Sequence, residues 1–176
     1  MITVVYGGSG SGKSEFAENM AVRNACGPFY YIATMYPYDR ESFAKIDRHR
    51  EMRSGKNFET IEAFTDISAV EIEKGSSVLL ECVSNLVANE MFLDCGAKEN
   101  CFQSVAGGID HLAGQAGHLV IVTNNIFEDG TEYEDETGTY MKALADVNLY
   151  ICGRADNVFE VVHGIVIPVR KAGGGL

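Results

Sequence analysis

Hydrophobic positions in this chain fall into two kinds of run. Ile2–Tyr6, Phe29–Ala33, Ser77–Glu81 and Leu119–Thr123 are short, rich in β-branched or aromatic residues, and apolar at nearly every position. A strand with one wet face alternates apolar and polar residues, so unbroken runs predict strands covered on both faces. Between them, Ser14–Cys26 (stopped by Gly27-Pro28), Arg40–Lys56, Ser84–Leu93 and Cys101–Gln115 read as helices from their spacing and helix-forming composition. Thr65–Lys74, closed by Gly75, reads as a further short helix. Towards the C-terminus, Val158–Val162 and Ile165–Val169 read as strands around His163-Gly164. Val147–Cys152 reads as a strand on its β-branched content and also suits the end of a helix. Strands alternating with helices predict an α/β fold, a mostly parallel sheet with helices on both faces.

With 176 residues and no linker or repeat, one domain is expected over residues 1–172, followed by a short disordered tail, 173–176. Glu128–Glu136, with six acids in nine residues, reads as a solvated loop. The net charge of −11 argues against non-specific binding to nucleic acid or to an anionic membrane. The five cysteines are scattered without a C-x-x-C pair, which fits reduced thiols better than a disulfide framework or a zinc site. No basic leader precedes Ile2–Tyr6, and no stretch reaches the roughly 20 apolar residues of a membrane span, so a cytoplasmic protein is expected.

The chemistry begins at Gly7-Gly8-Ser9-Gly10-Ser11-Gly12-Lys13-Ser14, a match to G-x-x-x-x-G-K-[ST]. Its glycines let consecutive backbone N–H groups turn inward around phosphate oxygens. Lys13 adds a charge near the β- and γ-phosphates, and the Ser14 hydroxyl is placed to ligate Mg²⁺. The following helix aims its positive end at the same group. The loop follows a strand and opens a helix, the context that such a loop requires, and so predicts a P-loop NTPase-like fold that binds GTP or ATP. Transfer chemistry also needs an acid at the tip of a neighbouring strand. Glu81, at the end of Val78-Leu-Leu, is the candidate, for metal or for activating an acceptor.

Six of the fourteen Lys and Arg residues fall between Arg40 and Lys56. In a helix, Lys45, His49, Met52/Arg53 and Lys56 share a face. Cations gathered around one histidine suit an anion site, with neutral imidazole as nucleophile and Arg50 and Arg53 neutralising phosphate charge. An equal reading is a solvated face balanced by Glu41, Asp47 and Glu51. His111, His118 and His163 lack such surroundings and read as structural.

The ordered set Gly7-Gly8…Ser14, Tyr31-Ile-Ala-Thr34, Asp39, Ile46-x-x-His49-x-x-x-Arg53, Thr60-x-Glu62, Leu79-Leu-Glu81-Cys82, Asn85 to Asn89, Val120–Asn124, Val147-Asn148 and Ala155-Asp156…Gly164 resembles the bifunctional adenosylcobinamide kinase / adenosylcobinamide-phosphate guanylyltransferase family. The resemblance spans nearly the whole chain. It implies phosphorylation of the aminopropanol hydroxyl of adenosylcobinamide, then attack of a histidine, here His49, on the α-phosphate of GTP. The GMP then passes to the phosphorylated corrinoid. It further implies nucleotide contacts at Thr34, Glu62 and Glu81, a Mg²⁺ requirement, a homotrimer, and helix for Val147–Cys152.

Three segments depart from the family pattern. Asn124-Asn-Ile-Phe-Glu-Asp-Gly130 stands where Asn-Glu-Val-Gly is usual. Lys142 is the one cation between Thr137 and Ala145, where the family carries Arg-x-x-Arg-Asp. Arg53-Ser-Gly-Lys-Asn-Phe58 replaces Arg-Pro-x-x-Trp. Two narrower readings stand beside the bifunctional one: a P-loop kinase retaining only phosphoryl transfer to a corrinoid or other small hydroxyl substrate, and a nucleotide-binding module without turnover.

Overall fold

The computed structural model describes residues 1–23, 27–53, 58–127 and 135–172, with the side chains at positions 41, 45, 48, 49, 52 and 53 outside the description. Seven strands form one sheet: β1 (Ile2–Gly7), β2 (Phe29–Ala33), β3 (Glu59–Glu62), β4 (Ser77–Glu81), β5 (His118–Asn124), β6 (Asn157–Val162) and β7 (Ile165–Arg170). Their order is β3-β2-β4-β5-β1-β6-β7. Every pairing is parallel except β6 with β7, a hairpin turning at His163-Gly164. The helices are α1 (Lys13–Arg23), α2 (Arg40–Arg53), α3 (Val83–Phe92), α4 (Cys101–Gln115) and α5 (Asp135–Arg154).

The apolar strands are buried on both faces because each face has its own cover. Val5, Tyr31, Leu79, Val120 and Val122 pack with Ala17 and Ala21 of α1. The alternate residues Val4, Ile32, Val78, Leu80 and Ile121 pack with Leu86 of α3, Ile109 of α4 and Val147 of α5. A period of two along each strand thus feeds two separate cores. No described helix is long and apolar enough to cross a membrane.

Local sequence misled in three places. Thr65–Lys74 is not a helix; only the 3₁₀ turn Ile67–Ala69 forms there. Asp66 enters that turn in the left-handed region at φ 45°, and the chain leaves it extended at Val70, which stops propagation. Val147–Cys152 belongs to α5, where Leu144, Val147 and Ile151 are buried at intervals of three and four. Helical periodicity outweighs its β-branched content. The acidic loop ends sooner than expected, since Asp135 and Glu136 form the first turn of α5, a favourable place for negative charge. The rest of it, residues 128–134, and the tail 173–176 lie outside the described residues.

Candidate active site

Parallel pairing sends the carboxyl ends of β1, β2, β3, β4 and β5 to one edge of the sheet, the edge at which open α/β sheets bind ligands. The phosphate loop leaves β1 there. Gly10 and Gly12 have φ of 69° and 92°, a region that side-chain-bearing residues rarely adopt. At Gly7 a Cβ would lie 2.3 Å from the Val161 carbonyl oxygen. The loop is braced internally by Ser11 N–H to Gly8 O at 3.3 Å, and from the β6–β7 turn by Gly164 N–H to Ser11 O at 2.8 Å. Phe16 N–H to Gly12 O at 3.1 Å starts the helical ladder. The buried Ser11 hydroxyl has no hydrogen-bond partner among the described residues.

Lys13 is only 8% exposed, and its ammonium donates to Gly8 O at 3.0 Å. Burial pushes its pKa down, while Cys82 and Glu81 oppose that shift. The Glu81 effect reaches Lys13 because a single strand, β5, separates β1 from β4. Glu81 itself accepts from the Tyr31 hydroxyl at 2.9 Å. Ser14, half-buried in the first turn of α1, completes the described loop.

Thr34 lies at the floor of this region and is fully buried. Its hydroxyl donates to Cys82 O and accepts from Cys82 N–H, both at 2.8 Å. Asn89 of α3 donates to Thr34 O at 2.7 Å and to Phe64 O at 2.9 Å. These bonds lock the ends of β2 and β4 together, so the Thr34 side chain positions the strand ends and its hydroxyl is already engaged.

Beside the loop, Tyr31, Arg50, Thr60, Glu62, Glu81 and Asn85 line one cleft, roofed by Ile46 of α2. Arg50 pairs with Glu62 across its mouth and lies 3.8 Å from Asp47. Of the residues singled out from sequence, Arg50, Glu62 and Glu81 therefore share a cleft. Lys13 is coupled to it through Glu81. His49 and Arg53 are placed by backbone alone, on α2 between and beyond the cleft-lining Ile46 and Arg50. Lys56 lies outside the described residues.

Tyr31 was not a site candidate on sequence. Its strand carries two adjacent phenols, Tyr30 and Tyr31, on opposite faces, and the fold decides that Tyr31 is the one that meets Glu81. His118 is buried with its Nε2 3.1 Å from the Thr3 hydroxyl, and His111 Nε2 lies 3.1 Å from Val70 O. Both anchor backbone elements away from the loop.

Among the described residues no three His, Cys, Asp or Glu side chains cluster as a self-sufficient metal site. The available donors, the Ser14 hydroxyl and the Glu81 carboxylate, are hard oxygens. They suit an ion such as Mg²⁺, which takes its remaining ligands from phosphate and water.

Comparison with known proteins places nearly the whole chain in one family. The family model described as cobinamide kinase / cobinamide phosphate guanyltransferase matches residues 3–169. The bifunctional adenosylcobalamin biosynthesis protein CobU of Escherichia coli (strain K12) is 29% identical over 97% of this chain and 100% of its own length. Its namesake from Salmonella typhimurium and the bifunctional adenosylcobalamin biosynthesis protein CobP of Pseudomonas aeruginosa are each 26% identical over 97% of this chain, covering 100% and 98% of their own lengths. Among solved structures, an ATPase domain superposes with a TM-score of 0.56 at 8% identity, over 99% of this chain and 78% of that one, which establishes the shared P-loop NTPase fold. With a family match that spans residues 3–169, phosphate loop and strand-end acid included, this chain belongs to the cobinamide kinase / cobinamide phosphate guanyltransferase family, a family of transferases.

Proposed function

We propose that the chain phosphorylates adenosylcobinamide and then transfers GMP from GTP to the product through a guanylyl-histidine at His49. The observation that carries this reading is the shared sheet edge. There the phosphate loop with Lys13 adjoins a cleft holding Glu81, Glu62 and Arg50, and α2 supplies its roof.

In the kinase step, backbone N–H groups of the Gly7–Gly12 loop and Lys13 hold the triphosphate. Glu81 takes the proton from the substrate hydroxyl as its oxygen attacks the γ-phosphorus. The Pγ–O bond to the β-phosphate breaks, and a nucleoside diphosphate leaves. Positioning and charge neutralisation supply most of such catalysis. Ser14 and Glu81 would hold Mg²⁺, which neutralises phosphate charge when bound.

In the second step, an imidazole nitrogen of His49 attacks the α-phosphorus of GTP. An N–P bond forms, the Pα–O bond breaks, and pyrophosphate departs. The phosphate oxygen of the first product then attacks the same phosphorus and releases the histidine. The Arg50–Glu62 pair suits this step. Both partners are about half exposed, at 55% and 48%, so the pair holds Arg50 by no more than about 1 kcal/mol and yields it readily to phosphate.

Incubation with α-labelled GTP tests the reading. An acid-labile, base-stable adduct in the wild type, absent in His49→Ala, is expected. Labelling of His49→Ala as strong as wild type removes His49 from the role. A kinase-only enzyme is the second reading, favoured by the amide-rich Asn124-Asn125 segment and by the single cation Lys142. Formation of GDP-cobinamide from cobinamide phosphate and GTP excludes it. The proposal includes a cytoplasmic homotrimer, the assembly being checked by sedimentation equilibrium.

A further inference from the structure

A second cleft opens at the same sheet edge, on the α5 side of the phosphate loop. It encloses about 350 Å³, with Tyr6, Asn124, Asn125, Phe127, Asn148 and Leu149 in its walls. Its wall is joined to the loop, by the chain at Tyr6-Gly7 and by cross-strand pairing at Asn124 and Asn125. Asn124 is the register partner of Gly7 in the β1–β5 pairing, and Asn125 N–H donates to Gly7 O at 3.1 Å. Asn124 also donates to the Ser84 hydroxyl, which lies 3.1 Å from the thiol of Cys82, the residue after Glu81. The cleft therefore adjoins the phosphate loop, and its wall is tied through Ser84 and Cys82 to the strand end that carries Glu81.

Its chemistry is distinctive in a chain of net charge −11, because no described residue lining it carries a formal charge. The walls are mainly apolar, and three carboxamides supply most of the polarity. The Thr123 hydroxyl donates to Asn148 Oδ1 at 2.7 Å, which fixes that amide and keeps its NH₂ group for a ligand. Asn124, donating its NH₂ to Ser84, keeps its carbonyl oxygen. One donor and one acceptor in fixed planes complement a carboxamide, which offers the same two groups. Among the described lining residues an anion finds no cation, and a cation no carboxylate. Where the family pattern carries Asn-Glu-Val-Gly, Asn124–Phe127 puts an amide in place of the acid and a phenyl ring in place of the glycine. Both changes make the wall more neutral and more apolar.

We infer that this cleft is the acceptor subsite: it takes the neutral, amide-linked alcohol arm of the substrate and presents its hydroxyl to the triphosphate. The inference rests on the kinase reading above and adds where the acceptor binds. A volume of about 350 Å³ holds such an arm with a neighbouring carboxamide, and the macrocycle stays outside. There it meets Phe127 and Leu149, exposed by 39% and 74%.

Steady-state kinetics on the full chain test the assignment, with cobinamide as varied substrate and nucleotide affinity measured separately by a fluorescent analogue. Leu149→Asp places a charge at the mouth on an exposed helical position, so folding is retained, and Ala145→Phe fills the interior. Val169→Asp, exposed on β7, is the control for added charge. Expected are a KM for cobinamide raised at least tenfold in Leu149→Asp and Ala145→Phe, an unchanged nucleotide dissociation constant, and wild-type kinetics in Val169→Asp. An unchanged KM in Leu149→Asp overturns the subsite while leaving the kinase reading intact. A shift in sedimentation of Leu149→Asp, with the KM unchanged per folded subunit, reassigns the face to a contact between copies. Wild-type protein that fails to phosphorylate cobinamide sinks the kinase reading itself, and the subsite with it.

Discussion

Burial makes Lys13 more than a tethered cation. With 8% of its surface exposed, its ammonium has few water contacts to lose when phosphate arrives, and Gly8 O already fixes its direction. Such a preorganised charge acts where charge develops, and removing one comparable donor costs about 10²–10³ in turnover. Lys13→Ala is therefore expected to lower kcat for cobinamide phosphorylation by about two to three orders of magnitude, measured with saturating nucleotide. Lys13→Arg is no remedy, because a planar guanidinium cannot replace a compact ammonium in so closed a loop. Thr34 makes a different kind of contribution. Thr34→Val keeps the shape but strands the buried Cys82 N–H, while Cys82 O is left with its bond from Leu86 N–H alone. A loss of about 1–3 kcal/mol in urea unfolding is expected, with Thr34→Ser near wild type. A residue that only touched nucleotide would leave the unfolding midpoint of the free protein unchanged.

At the scale of elements, legibility followed burial. β1, β2, β4 and β5 are sealed by helices on both faces, so their apolar runs carried the signal unmixed. β3 was not foreseen. Its four residues, Glu59–Glu62, sit at the sheet edge largely exposed, and Glu-Thr-Ile-Glu holds no apolar run to read. β3 matters to the candidate site all the same, because it delivers Glu62 to the cleft. The loop and Glu81 were legible because motif and strand end are local, whereas the Tyr31–Glu81 and Thr34–Cys82 bonds join residues about fifty positions apart. The mistaken helix at Thr65–Lys74 has a similar cause: a side chain from elsewhere decides its path. Glu90, 2% exposed on α3, accepts from Asp66 N–H at 2.7 Å, Ala97 N–H at 2.8 Å and Ser104 Oγ at 2.9 Å. It ties the start of the 3₁₀ turn to α3 and α4. Glu90→Gln puts an NH₂ against a donor and forfeits at least one charged hydrogen bond. About 1.5–3 kcal/mol of stability is expected to go, read by denaturant titration, with faster amide exchange at Asp66 or Ala97.

For the whole molecule, the sheet divides stability and chemistry between its two edges. Phosphate loop, Glu81 and both clefts gather at the carboxyl edge, while the amino edge carries a separate polar seam. There the N-terminal ammonium donates to Gly117 O at 3.1 Å, Ile2 N–H to Asp156 at 2.7 Å, and His118 meets Thr3. Burial lowers the His118 pKa from its ordinary 6.5, the N-terminal charge lowers it further, and Asp156 opposes both. A histidine depressed in the folded state binds its proton more readily when unfolded. Its contribution is therefore complete above about pH 6.5 and is lost as pH falls from there towards the lower folded value. Protonation would also set a charge beside Nδ1, which is buried without a partner among the described residues. Wild-type Tm is thus expected to drop between about pH 7.5 and about pH 5.5, and His118→Gln, which has no proton to gain, to flatten that drop. Strand β5 runs seven residues from His118 to Asn124, a span of roughly 20 Å, so the substitution should leave kcat and the nucleotide dissociation constant at pH 7.5 unaltered. Equal slopes of Tm against pH in the two proteins would show that the acid sensitivity arises elsewhere. A change in kcat would show that the two edges are coupled through the sheet.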